Sequence, residues 1–186
     1  LLATTAVPLH KIAWDIGLPG SGPRCGFGEI RLPATQPGSS IMPGKVNPVM
    51  SESLTMVAAR VAGNQTTVTW CGAGGFLELN VSMPLLAACL LESIELLANS
   101  VEAFREKCVN GIEANVERCE DLIEFSLSMV TALAPKIGYD KASAIAKESV
   151  QTGRTVRELC EEQLGELGLT KEELTVLLDP ARMSGE

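Results

Sequence analysis

The sequence predicts an all-α protein: part of a long-helix bundle followed by a small C-terminal helical domain. Three observations lead there. Apolar residues recur at steps of three and four along most of the 186 positions, capping residues and Gly or Pro stops punctuate that pattern, and 46% hydrophobic residues suffice for a sizeable core.

The opening stretch LLATTAVPLHKIAWDIG reads as a helix already under way. It has neither the basic flank nor the small-residue cleavage site of a signal peptide. With no initiator Met, the sequence is expected to continue upstream. No apolar run reaches the roughly 18 residues of a membrane helix, so no membrane partner is expected. His10 sits among Leu9, Ile12 and Ala13 and reads as a packed or surface histidine without a chemical role.

After this helix, QPGSSIMPGKVNP (Gln36 to Pro48) is too polar for a core and too particular for a filler loop. Pro43-Gly44 signals a turn, and Asn47-Pro48 reads as a helix cap followed by proline at the first helical position. The loop therefore leads into a helix N-terminus, where unpaired N–H groups and the helix dipole favour an anion. Lys45 adds a full positive charge, and Gly38, Ser39 and Ser40 give a mobile backbone with two hydroxyls. A carboxylate ligand suits such a place. A surface loop with a solvated Lys45 is the plain alternative on chemistry alone.

Thr66–Trp70 (TTVTW) is rich in β-branched residues that favour strand. It is nevertheless expected to be helical, because no partner strand is evident. CGAGG, Cys71 to Gly75, breaks that segment. From Pro84 to Cys108 a stripe of Leu86, Leu90, Ile94, Leu97, Val101, Phe104 and Cys108 predicts one long helix with this face as bundle core. A domain boundary is placed near Asn110 and Gly111, dividing the chain into 1–110, with the loop 36–48, and 111–186. Beyond it, Asn115 is expected to cap a helix running through Leu122, Phe125 and Met129 to Leu133, stopped by Pro135 and Gly138. Asp140 is expected to cap a helix ended by Gly153, and Thr170 with Glu173 to form a capping box.

A net charge of −8 argues against nucleic acid as the main partner, because phosphate binding needs a basic surface. The six cysteines contain no C-x-x-C pair, and with a single histidine they offer no zinc pattern. They read as reduced thiols of a cytoplasmic protein. No metal site and no cofactor are expected.

GSSIMPGKVNP (Gly38 to Pro48) resembles the signature loop of the fumarase/aspartase superfamily, and GPRCGFGEI (Gly22 to Ile30) resembles the segment preceding it. GIEANVERCE, MVTAL, IGYDKA and LDPARM resemble the C-terminal part of class II fumarases, so the likeness runs over the whole chain but less than half of a family member. It implies a lyase that removes a proton beside a carboxylate, passes through an aci-carboxylate and adds or expels a group at the neighbouring carbon. It also implies Ser39 as the base, Glu52 as a carboxylate important for activity, and Ser40, Lys45 and Asn47 as substrate contacts. A serine is a poor base unless positive charge and backbone donors favour its ionised form. Glu52, in the first helical turn, has the plainer role of complementing the dipole.

The resemblance further implies a dicarboxylate substrate and a homotetramer whose active sites are shared between subunits. This chain would then supply one wall, since the Thr-His and Ser-Gly-Thr motifs of the family are not in it, and alone it is expected to be inactive. Ala13-Trp14-Asp15-Ile16-Gly17 departs from the family's Ala-Asn-Asp-x-Arg and leaves the geometry leading into the site open. GPRCG, SLTMV, MVTAL and IGYDKA favour fumarate hydratase. PVMSE, TTVT and LELN keep aspartate ammonia-lyase as the alternative, and an inactive structural fragment is the non-enzyme reading.

Overall fold

A computed structural model describes residues 1–22 and 24–185. Pro23, inside the GPRCGFGEI motif, and Glu186 lie outside the described residues. The described residues form ten α-helices and one two-stranded sheet, so the chain is all-α as its periodicity predicts. It divides into two compact units, Leu1–Asn115 and Val116–Glu186.

In the first unit, α1 (Leu2–Gly17) packs on α2 (Val49–Ala73), and α2 packs on α3 (Met83–Lys107). Small residues let the helices approach: Ala6 and Ala58 meet Val61 and Leu97 in one buried cluster, and Ala13 meets Leu54, Phe104 and Cys108 in another. Thr66–Trp70 is helical, as expected. Thr66, Thr67 and Thr69 each return their hydroxyl to the carbonyl four residues earlier, at 2.9 to 3.4 Å, which accommodates β-branched residues in a helix. The helix ends at Ala73, where the CGAGG run begins to open the chain. Asn80 then joins α2 to α3, donating Nδ2 to the Cys71 carbonyl at 2.9 Å and accepting the Ser82 N–H at 2.8 Å.

The expected core stripe of α3 is only partly buried. Leu97, Phe104 and Cys108 are buried, but Leu90, Ile94 and Val101 are 43%, 47% and 37% exposed, and Cys89 and Ser93 take their place against α2. The reason is a polar lock. Asn64 of α2, 3% exposed, donates to Glu92 Oε2 (2.7 Å), Ser93 Oγ (3.0 Å) and the Cys89 carbonyl (3.4 Å). Arg60 grips the same Glu92 carboxylate at 2.9 to 3.1 Å. These bonds turn the Cys89–Ser93 face inward and leave Leu90, Ile94 and Val101 partly exposed.

One expectation about apolar runs is corrected here. Met83–Gly111 is long and apolar enough to cross a membrane, with a mean hydropathy of 1.4. Glu92 and Glu95 interrupt it, and Glu92 is committed to Arg60 and Asn64.

A small antiparallel sheet pairs β1 (Ile30–Arg31) with β2 (Glu113–Ala114), with Ile30 opposite Ala114 and Arg31 opposite Glu113. Asn115 extends this clamp by donating its backbone N–H to the Glu29 carbonyl and its side-chain Nδ2 to the Gly28 carbonyl, both at 2.8 Å.

The second unit carries α4 (Val116–Glu124), α5 (Val130–Ile137), α6 (Tyr139–Thr152), α7 (Val156–Glu162), α8 (Leu164–Leu167), α9 (Lys171–Leu177) and α10 (Pro180–Ser184). The single helix expected from Asn115 to Leu133 is broken after Glu124. Ser126 accepts the Ser128 N–H at 3.3 Å and starts a 3₁₀ turn, a local alternative that serine offers to helix continuation. Pro135 lies inside α5 rather than ending it; the stop comes at Gly138, whose φ of +87° a side chain would oppose. Gly138 is also the N-cap of α6, so Asp140 sits in the first turn instead of at the cap.

Gly153 ends α6 in the left-handed region, and Thr170 with Glu173 forms the expected capping box. A second box at Thr155 and Glu158 starts α7. Inside, Leu133, Ile145, Leu159, Cys160, Leu174 and Leu178 are sealed from solvent. Arg157 holds the Glu124 carboxylate at 2.8 to 3.2 Å and the Leu178 carbonyl at 3.1 Å.

The α2–α3 lock gives a contrast that urea unfolding checks. Asn64→Ala is expected to destabilise the chain by about 1–3 kcal/mol, because it removes bonds to a charged acceptor and to buried groups. Arg60→Ala should cost clearly less, because its ion pair with Glu92 is solvent-exposed.

Candidate active site

Between β1 and α2 the chain runs without regular structure, and two glycines shape it. Met42, Pro43, Gly44 and Lys45 form a turn closed by the Lys45 N–H on the Met42 carbonyl at 3.2 Å. Proline supplies the fixed φ of its second position, and Gly44, at φ +82°, supplies the positive φ of its third. Farther back, the two arms of the loop touch at Gly38: a Cβ there would overlap the Lys45 carbonyl. Only glycine permits that approach.

The pinch puts Ser39 and Lys45 on the wall of one open basin of about 620 Å³, together with Gln36 and Gly44. Ser39 is half-buried, and its Oγ accepts the Ile41 N–H at 3.2 Å. That bond strengthens as the oxygen gains negative charge. Lys45 is exposed at the rim. Ser40 and Asn47 are not among the residues lining this basin, and Glu52 lines a separate cleft. The structure thus brings together two of the five candidate residues.

The expected cap is displaced by one residue. Pro48, not Asn47, is the N-cap of α2, with φ −78° and ψ 60°. The Asn47 carbonyl accepts the Val49 N–H at 2.9 Å, forming an inverse γ-turn around Pro48. One N–H at the helix start is therefore already engaged, and Glu52 places its carboxylate in the first turn, where it favours the dipole.

The segment before the loop is folded just as tightly. The Ser21 carbonyl accepts the Gly28 N–H at 2.8 Å, and its Oγ accepts the Phe27 N–H at 3.2 Å. A Cβ at Gly26 would overlap the Ser21 backbone. Arg24 and Cys25 are exposed on this segment.

Sequence reasoning missed the cleft that holds Glu52. It occupies about 210 Å³ between the end of α1 and the start of α2 and is lined by Trp14, Gly17, Ser51 and Glu52, among others. Trp14 and Gly17 are the two positions that depart most from the family pattern. Ser51 is 4% exposed, and the polar group beside its hydroxyl is the buried Cys108 thiol. Burial pushes the Cys108 thiol up, and the Ser51 hydroxyl beside it opposes that shift. The signal was legible: Ser51, Leu54, Ala58, Val61 and Asn64 recur at helical spacing, so Ser51 and Asn64 belong to the buried face. Among the described residues no group of three or more His, Cys, Asp or Glu side chains is placed to hold a metal ion.

Known proteins resemble this chain throughout. A family model described as Lyase matches residues 1–63, and one described as Fumarase C C-terminus matches residues 129–185. The class II fumarate hydratase of Rickettsia felis is 52% identical over 185 residues, 99% of this chain and 39% of that protein. The mitochondrial fumarate hydratase 1 of Arabidopsis thaliana is 52% identical over 184 residues, 99% of this chain and 37% of that one. Among solved structures, a fumarate lyase:delta crystallin from Brucella melitensis superposes with a TM-score of 0.91 at 50% identity, over 100% of this chain and 39% of that one. The class II fumarase from Schistosoma mansoni follows with a TM-score of 0.88 at 41% identity, over 99% of this chain and 38% of that one. The chain thus spans about two fifths of the length of the relatives it matches.

The pinch at Gly38 makes a direct prediction. Gly38→Ala must push the loop arms apart, because the overlap is with backbone that cannot rotate away as a side chain would. Amide hydrogen exchange at Ile41 and Lys45 is expected to accelerate by roughly tenfold or more, with the helical circular-dichroism signal unchanged.

Proposed function

Because the chain belongs to the fumarase/aspartase superfamily and matches the C-terminal part of class II fumarases, we propose that the whole protein is a fumarate hydratase, adding water reversibly to fumarate to give (S)-malate. The observation that carries the residue assignment is the pinched loop: Gly38 against the Lys45 carbonyl, with Ser39 and Lys45 on one basin.

In the dehydration direction, Ser39 Oγ takes a proton from the carbon beside one substrate carboxylate. The electron pair of that C–H bond moves into the carboxylate, which becomes a doubly charged aci-carboxylate. Return of the pair forms the carbon–carbon double bond and expels the hydroxyl of the neighbouring carbon, which leaves as water after protonation by a group outside this chain. Lys45 is the cation that meets the growing charge, with Asn47 and Ser40 as further substrate contacts and Glu52 as a carboxylate of the site. The Ile41 N–H on Ser39 Oγ supports the base assignment, since it favours the ionised oxygen before substrate arrives. The exposed Leu90, Ile94 and Val101 of α3 support assembly into a homotetramer with shared sites, in which that face is covered.

Two assays on the full-length protein test this reading. Fumarate is expected to be consumed without ammonium; product formed only with ammonium would move the assignment to an ammonia-lyase. Ser39→Ala should lower turnover by roughly 10²–10⁴-fold, the range of general base catalysis, while Ser40→Ala acts mainly on KM. Equal and mild effects of the two changes would return Ser39 to a plain loop residue.

A further inference from the structure

We propose that Asn115 is a positioning residue for the reaction: together with Gly111 it fixes the arm of the loop that carries Ser39. This inference rests on the assignment of Ser39 as the base. Asn115 does not line the basin, so its effect travels along the chain.

The anchor is built from several contacts on one short stretch. The Asn115 backbone N–H meets the Glu29 carbonyl and its Nδ2 meets the Gly28 carbonyl, both at 2.8 Å, so one residue holds two consecutive carbonyls. Directly after them β1 pairs with β2, and Leu32 packs against the cluster of Ala13, Leu54, Phe104 and Cys108. Pro33 then lies against Gly111, where a Cβ would stand 2.5 Å from Pro33 Cγ. Gly111 is outside the left-handed region, so its backbone accepts alanine and the contact with Pro33 is what opposes one.

From this anchor the chain has little freedom before it reaches the site. The rings of Pro33 and Pro37 each fix φ. Residues 34–37 make no backbone hydrogen bond among the described residues, so nothing of that kind holds the arm along the way. Ser39 is therefore located by the two ends of the segment: the anchor at Asn115 and Gly111, and the pinch of Gly38 on the Lys45 carbonyl. Lys45 and Asn47 belong to the other arm, which runs directly into α2. Releasing the anchor thus shifts the base relative to the groups assigned to hold substrate, and a misplacement of about 1 Å costs up to roughly 100-fold in rate.

Two variants of the full-length protein test this. Asn115→Asp keeps the shape but replaces the Nδ2 donor by an oxygen, which sets acceptor against acceptor at the Gly28 carbonyl. Gly111→Ala disturbs the same arm through Pro33 and leaves Asn115 intact, so the proposal stays testable if the first variant does not fold. Both are expected to lower kcat for fumarate by roughly 10–100-fold with KM little changed, because the contacts of Lys45 and Asn47 are kept. Amide exchange at Ile41, whose N–H meets Ser39 Oγ, should accelerate by roughly tenfold, with exchange within α2 and α3 unchanged. A merely structural role would instead lower Tm and speed exchange throughout those helices without separating kcat from KM. That pattern overturns the proposal, as does unchanged kcat or unchanged exchange at Ile41 in a folded variant. Fumarate left untouched by the wild type counts against the hydratase reading instead, and the exchange comparison, which needs no turnover, then still decides the anchor.

Discussion

The first unit depends on α2 meeting two helices at once through a face of small and polar residues. Ser51, Leu54, Ala58, Val61, Asn64 and Cys71 are all buried, and only two of them are large aliphatics. Such a face gains less from burial per residue than a leucine stripe would, but it allows close approach of α1 at Ala6 and Ala13 and places hydrogen-bonding groups where they fix rotation. Asn64 does this most directly, because its amide meets the Cys89 carbonyl, Glu92 and Ser93 at once. These polar contacts hold the Cys89–Ser93 face of α3 inward, and Leu90, Ile94 and Val101 are left partly exposed.

The second unit is held differently. Its helices are short, and a helix of that length is marginal in water without tertiary support. Leucines from four of its helices, α5, α7, α8 and α9, converge with Ile145 of α6 on one sealed core, and the helix starts at Thr155, Thr170 and Asp179 satisfy first-turn N–H groups with side chains. The Glu124 carboxylate and the Leu178 carbonyl, distant in sequence, meet at Arg157.

Much of this was legible in the sequence, and the failures have physical causes. The helices follow from three-and-four spacing, and Gly153 and Thr170 behave as their residue types require. The α3 stripe was misread because spacing ranks faces by hydrophobicity, whereas Asn64, Ser93 and Glu92 chose the inward face by hydrogen bonding. The break at Ser126 went unseen because serine's local bonding competes with helix only where context allows. In the candidate site, residue types and their motif were readable, but their grouping was not. That Gly38 must touch the Lys45 carbonyl, and that Glu52 turns into a different cleft from Ser39, depends on backbone paths that spacing does not encode.

The clamp between β1 and β2 bears on the order in which this architecture can assemble. Asn115 and Gly28 are 87 residues apart, so joining them in an unstructured chain would cost roughly 4 kcal/mol of closure entropy on chain-statistics scaling, more than four strand residues can return. The hairpin of α2 on α3 joins residues only about thirty apart, as in the pair Asn64–Ser93, and once formed it carries the two halves of the clamp toward each other. The loop bearing Ser39 is tethered between β1 and α2. It acquires a fixed shape at both ends only after the helices have docked, so the geometry of this loop is a late product of folding rather than one of its seeds.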